Sequence, residues 1–215
     1  MEIDDHTLTA LTTEHFGLAG ARAQAASESA SRSALYLGSV SSTLVGLGLT
    51  AQVPGGGREV FYVFALVALP TLFALGVFTF TRLVELGIED FLLGRAINRI
   101  RHLYLEQAGE ASRYFMLSGY DDAFGVIANM GIAPSRSQLY FTAAMAVATV
   151  NAVVGGSAVA LAIGRATDAR LWVCVAFGAL AGIAALGAAL SFQARQRGTG
   201  GGERDVLFPT PGASG

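Results

Sequence analysis

Charged side chains are missing from four long stretches of the chain: Ala34–Val53, Val60–Thr81, Leu139–Ile163 and Leu171–Phe192, of 20, 22, 25 and 22 residues. A bilayer core of about 30 Å is crossed by about 20 helical residues, so each stretch is long enough to span it. The polarity within them does not alternate with period two, which excludes the roughly 10-residue strands of a membrane barrel. Backbone groups in hydrocarbon have no water to pair with, so each span is predicted to be helical. The expected fold class is all-α: an integral membrane four-helix protein made of two transmembrane hairpins, with helical extensions of the first on its cytoplasmic side.

Between the spans the pattern changes but stays helical. Thr13–Ser33 is rich in Ala, Glu, Arg and Ser and lacks Pro, which predicts a helix running straight into the first span, with Thr12 or Thr13 as N-cap. Arg82–Gln107 also lacks Pro. At 100° per residue Leu86, Leu93, Ile97, Ile100 and Tyr104 share one stripe, and Arg95, Arg99, His102 and Glu106 lie opposite. Two such helices leaving neighbouring spans on one side are expected to pair as an antiparallel stalk. Gly109–Pro134 follows, where Asp121 or Asp122 caps a short helix and Gly131 ends it. Its apolar residues are expected on the membrane surface or against the stalk. The organisation is thus 1–33 N-terminal helix, 34–81 first hairpin, 82–138 helix and loop, 139–192 second hairpin, and 193–215 tail. The tail, with Gly198-Thr199-Gly200-Gly201-Gly202 and Pro209–Gly215, is flexible by composition.

Arginine placement orients the chain. All 14 basic residues are Arg, a bias expected of a high-GC, bacterial genome, and eleven lie in the N-terminal segment, the central loop and the tail. The two short turns carry Arg58, Arg165 and Arg170. The positive-inside tendency then places both termini and the central loop in the cytoplasm of a bacterium, with the spans in its inner membrane. The acidic start Met-Glu-Ile-Asp-Asp is unlike a signal peptide, so Ala34–Val53 is expected to be retained. A net charge of −2 argues against a nucleic-acid partner.

The chemistry on offer is sparse. The four stretches hold no Asp, Glu, Lys, Arg or His, the groups with which pumps and proton-coupled transporters work at membrane depth. His6, His15 and His102 lie outside them at unrelated spacings, and Cys174 stands alone. Glu14-His15 and Asp121-Asp122 could contribute metal ligands but have no third and fourth group near them in sequence. No GxSxG, P-loop, HExxH or CxxC pattern occurs. Catalytic residues, cofactors and metals are therefore not expected.

What the spans carry is packing chemistry. Gly178 and Gly182 form a GxxxG step, Ala148, Ala152, Gly156 and Ala160 a small-residue stripe, and Gly38, Ser42 and Gly46 another. Either intramolecular packing or a homo-oligomer interface would use such faces. Ser39, Ser41, Ser42 and Thr43, with Asn151, could line a polar pathway between subunits. The hydroxyls could equally bond back to their own helix, and Asn151 could bond across helices. Pro70 frees a carbonyl in mid-span and kinks a helix. Arg95, Arg99 and His102 form a face for anionic headgroups, for a cytoplasmic partner, or for solvent alone.

Glu14-His15-Phe16, Ala21-Arg22 and the run Leu35-Tyr36-Leu37-Gly38-Ser39-Val40-Ser41-Ser42 form a recognisable set with Tyr114-Phe115, Asp121-Asp122, Gly125-Val126 and Asn129-Met130-Gly131. Over about residues 12–163 they resemble a family of small four-span membrane proteins of high-GC bacteria. That resemblance implies the four-span layout and nothing about catalysis. More loosely, the first hairpin with its cytoplasmic helices is similar to the SLATT-type two-span effectors of bacterial nucleotide-signalling defence systems. Such a likeness implies oligomerisation and membrane permeabilisation, and the second hairpin departs from it. The leading expectation is a non-enzymatic scaffold or partner-binding protein acting through cytoplasmic helices. An oligomeric channel or permeabilising effector comes second, and a small-molecule transporter third.

Overall fold

The computed structural model describes residues 4–131, 142–167, 169–200 and 205–212. It is all-helical: α1 (Asp5–Thr50), α2 (Gly57–Ala108), a 3-10 segment (Gly109–Tyr114), α3 (Ala123–Asn129), α4 (Ala143–Ala166) and α5 (Leu171–Gly200). α1, α2, α4 and α5 each contain a stretch long and apolar enough to cross a membrane. Residues 139–141, where the third apolar stretch begins, lie outside the described residues, as do Ile132, Pro134 and Arg136 and, in the tail, Gly201, Gly202 and Arg204.

α1 starts earlier than its composition suggests. Asp4 Oδ1 accepts the Thr7 N–H at 2.9 Å and caps the helix. Thr12 and Thr13, the expected caps, instead donate their hydroxyls to the carbonyls of Leu8 and Thr9 one turn back. A Thr already inside a helix has no free N–H two or three residues ahead to accept from, so back-bonding is what remains to it. At the other end Gly55 adopts φ +77°, which a residue without Cβ does at no steric cost, and the chain turns into α2.

α2 runs unbroken through Pro70, where the missing N–H leaves the Leu66 carbonyl without its usual partner. The next residue, Thr71, donates its hydroxyl to the Val67 carbonyl at 2.8 Å. α3 is capped by Asp122, which accepts the Gly125 N–H at 2.8 Å, and Gly131 closes it at φ +70°. Thr142 caps α4 through the Met145 N–H.

The chain divides into two compact units. The apolar unit comprises Ser29–Val84 and Tyr140–Gln196. Its core is Ala65, Leu69, Leu72 and Val154, with Val40 and Leu47 of α1 and Val150, Ala158 and Leu161 of α4 packed around it. The polar unit comprises Met1–Glu28, Glu85–Leu139 and Arg197–Gly215. Within it the first part of α1 and the second half of α2 meet in antiparallel register. Arg22 reaches Asp90, His15 lies 5.8 Å from Tyr104, and Thr12 contacts the Tyr104 hydroxyl.

The predicted apolar stripe of α2 is buried at Leu86, Ile97 and Ile100. The opposite face is covered too, with Arg95 and Asn98 buried. Arg95 and Asn98 bond the loop before α3 at Asp121 and Tyr120, and the tail lies against Arg99 and His102. Expected to be flexible, the tail stays helical through Gly200 in α5, and residues 205–212 return to bond Arg99, Asp121 and Asp122.

Candidate functional site

The polar unit is organised by two neighbouring carboxylates. Asp121 is fully shielded, at 0% exposure. Its carboxylate accepts from Arg99 Nε at 2.6 Å and from the backbone N–H groups of Leu207 and Phe208. Its own N–H donates to the Phe208 carbonyl at 3.1 Å, and its carbonyl accepts from Arg95 Nε at 2.9 Å. Asp122 accepts both the N–H and the hydroxyl of Thr210 while it caps α3. Burial alone would raise both carboxyls. The donors outweigh it: Arg99, Phe208 and Leu207 hold Asp121 below its ordinary value, and Thr210 and Gly125 do the same for Asp122. A buried carboxylate is stable only with its acceptor sites filled, and the tail supplies several of those donors.

Of the face expected to meet headgroups, a partner or solvent, Arg99 and His102 meet the chain's own tail, and Arg95 bonds the Asp121 carbonyl. Arg99 also bonds the Asp205 carbonyl, and the His102 ring stacks on Phe208 with centroids 3.8 Å apart. Beneath it, Asn98, at 2% exposure, donates to the Tyr120 carbonyl and accepts from Asn129 and Arg101. Asn129 in turn accepts the Ser118 N–H and donates to the Ser118 carbonyl, which fixes the loop leading into α3.

That loop projects Tyr114, Phe115, Met116 and Leu117. All four are exposed, Met116 at 96% and Tyr114 at 77%. They stand outside the four apolar stretches, on a segment anchored at one end by the 3-10 turn and at the other by the Asn129–Ser118 bonds.

On the α1 side of the polar unit lies a cavity of about 390 Å³ lined by His15, Ala19, Arg22, Asp90, Arg101 and Asn129, among others. Arg22 grips Asp90 through two bonds, Nε to Oδ1 at 2.8 Å and Nη2 to Oδ2 at 3.2 Å. Gly94 makes room for α3 beside this pair: a Cβ there would lie 3.0 Å from Val126, and at an ordinary 3.6 Å from the Arg22 guanidinium.

In the apolar unit the small residues fall into two groups. Gly156, Gly178 and Gly182 form a backbone contact between α4 and α5. A Cβ on Gly156 would sit 2.6 Å from the Gly178 carbonyl oxygen, and one on Gly182 would sit 2.9 Å from that of Ala152. Ala148 and Ala152 are buried on the same helix. On α1, Gly46 faces the Phe64 ring, whereas Gly38 has open space around it. Ser39, Ser41 and Ser42 donate to the carbonyls of Leu35, Leu37 and Gly38, and Thr43 is half-buried nearby. Asn151 is buried and accepts the Tyr36 hydroxyl at 3.1 Å. Pro70 lies exposed on the surface of α2.

Sequence reasoning did not single out Tyr36, Arg22, Asp90 or Arg101 as members of a site. The first two stand in motif runs, but their partners are 115 and 68 residues away, beyond any local periodicity. Among the described residues no group of three or more His, Cys, Asp or Glu is placed to hold a metal ion. No protein-family model, curated protein or solved structure matches the chain.

Proposed function

We propose that this chain is a non-enzymatic scaffold of a bacterial inner membrane, with both termini cytoplasmic, that engages a partner protein through its polar unit. The observation that carries this reading is the run Tyr114–Leu117. Four consecutive large apolar side chains stand in solvent on a loop whose end is fixed by hydrogen bonds rather than by burial. Exposed apolar groups of this kind, with two aromatics and a Met among them and polar residues around, are the composition of an interface core. The four apolar stretches anchor that surface, and their lack of Asp, Glu, Lys, Arg and His leaves transport coupled to an ion gradient without a group to work through.

The test is site-specific photocrosslinking in cells expressing the full chain. A benzophenone side chain at Met116 is expected to capture a defined protein, while the same probe at exposed Thr13 does not. Loss of the adduct on Phe115→Ser is expected alongside. Capture of lipid alone, or identical products at both positions, overturns the reading.

A second reading, an oligomeric channel or permeabilising effector, is favoured by the open α1 face around Gly38 and Ser42. The hydroxyls of that face are already bonded to their own helix, so a hydrated path would require them to turn. The oligomeric mass in nanodiscs decides it: four or more copies support a pore, a monomer or dimer excludes its simple form.

A further inference from the structure

Arg101 is a half-buried cation without a carboxylate. Its Nη1 donates to the neutral Asn98 Oδ1 at 2.9 Å, and no Asp or Glu lies within ion-pair distance of it among the described residues. Burial first, and the like charge of the Arg22 guanidinium second, lower its pKa from the ordinary value. The one carboxylate of the cavity, Asp90, is held by both Nε and Nη2 of Arg22. Two guanidiniums against one carboxylate leave the cavity with one positive charge uncompensated. Half of Arg101 is kept from water, and what remains lines a hollow that holds no second carboxylate.

The hollow has a physical origin. Ala19, Ala23 and Ala26 recur on the face of α1 that looks across it, and side chains this short cannot fill the space between two helices. They are exposed, so the cavity opens to solvent. Its volume falls within the range of small-molecule sites, about 300–1,000 Å³. The lining combines an Arg with unused donors, apolar Ile97 and Leu117, and His15. The His15 Nδ1 is shielded and has no hydrogen-bond partner, and the ring is held in the neutral form by burial and by Arg101.

We propose that this cavity binds a small oxyanion, a carboxylate or phosphate group on a compact apolar body, with Arg101 as its counter-ion. A guanidinium fork matches either group with two parallel bonds. Arg22, fixed by Asp90, adds field without having to move, and Ile97 and Leu117 cover the apolar part. The ligand is drawn from solution or from an anionic lipid headgroup, which carries the same chemistry. This inference does not rest on the Tyr114–Leu117 reading and survives its failure.

The experiment titrates the full chain, in a zwitterionic detergent, with sodium phosphate and with sodium benzoate against sodium chloride at matched ionic strength. At about ten times the dissociation constant a saturable rise in Tm of about 3 °C is expected for a chain this size. Arg101→Gln abolishes it, while Arg113→Gln, an exposed arginine outside the cavity, keeps it. Should Arg101→Gln fail to fold, the wild type still answers: ¹⁵N-histidine NMR must show the His15 pKa rising when the anion binds beside it. A Tm that follows ionic strength alone, or an unmoved His15 titration, overturns the proposal. Repeating the benzoate titration in nanodiscs of phosphatidylglycerol and of phosphatidylcholine assigns the source. Competition in the first alone identifies the headgroup, and equal binding in both identifies a soluble ligand.

Discussion

Asp121 and Phe208 are bonded to each other twice, the Phe208 N–H to the Asp121 carboxylate at 2.8 Å and the Asp121 N–H to the Phe208 carbonyl at 3.1 Å. The tail is therefore not a trailing end but a strap that closes the acceptor sites of a buried charge. Removing the charge should release it. In Asp121→Ala the Arg99 donor and the Leu207 and Phe208 amides lose their acceptor together, while Arg95 keeps the backbone carbonyl; breaking a buried pair on one side costs on the order of 3 kcal/mol. Hydrogen–deuterium exchange should show residues 205–212 exchanging freely in the variant, with the Tm lowered. Asp121→Asn, which keeps one acceptor oxygen, should lie between.

The same strap should fail in acid. Asp121 and Asp122 are held below the ordinary carboxyl value of 3.8, because their donors outweigh the opposing effect of burial. A group whose pKa is depressed on folding contributes stability that is present above the unfolded value and is lost as the pH falls through the folded one. Strap docking is thus expected to be constant from pH 7 down to about 4 and to weaken below it. Intrinsic-rate-corrected hydrogen–deuterium exchange of residues 205–212, pulse-labelled at a series of pH values, measures this directly. Asp121→Asn combined with Asp122→Asn should exchange readily throughout, with the acid step removed.

The four apolar stretches were legible because lipid imposes a local rule, about twenty uncharged residues in a row. All four lie in helices of the structure apart from a few end residues and the undescribed start of the third. Asp122 and Gly131 were legible for a similar reason, since a cap and its glycine are neighbours in sequence. The strap was not. Composition reads Gly198–Gly202 and the Pro209–Gly215 end as loose, but whether a segment docks depends on what it meets, and Asp121 stands 87 residues from Phe208. The covering of Arg95, Arg99 and His102 is illegible for the same reason: helical periodicity separates two faces without saying how many are covered.

Glycine position separates packing from mere smallness. Gly156 and Gly187 lie on α4 and α5, and both would gain helix propensity, by up to about 1 kcal/mol, on substitution by alanine. At Gly187 the new methyl meets nothing within 4 Å, so Gly187→Ala should be neutral or slightly stabilising. At Gly156 it would lie 2.6 Å from the Gly178 carbonyl oxygen. Backbone cannot rotate aside, so α4 and α5 must separate, at a cost of about 1–3 kcal/mol. Thermal unfolding in one detergent, read side by side, should show the two variants moving in opposite directions.

Tyr36 and Asn151 are both buried, and the hydroxyl of one meets the side-chain oxygen of the other at 3.1 Å. Gly76 is why Asn151 fits there: a Cβ at that position would overlap the Asn151 amide. Tyr36→Phe removes the donor and keeps the ring, and interhelical hydrogen bonds in membranes contribute about 0.6 kcal/mol on average and at most about 1.7. Its effect alone should accordingly be small. Asn151→Leu removes the acceptor and adds bulk against Gly76, and should cost more. A double-mutant cycle isolates the bond, since once Asn151 is Leu the change of Tyr36 to Phe has nothing further to break. A coupling energy between about 0.5 and 1.7 kcal/mol is expected from steric-trapping measurements. In Gly76→Ala, where Asn151 must swing away, that coupling should fall to zero while Tyr36→Phe becomes silent. A coupling that persists in the Gly76→Ala background would mean that the amide oxygen reaches Tyr36 by a route other than the gap this glycine leaves.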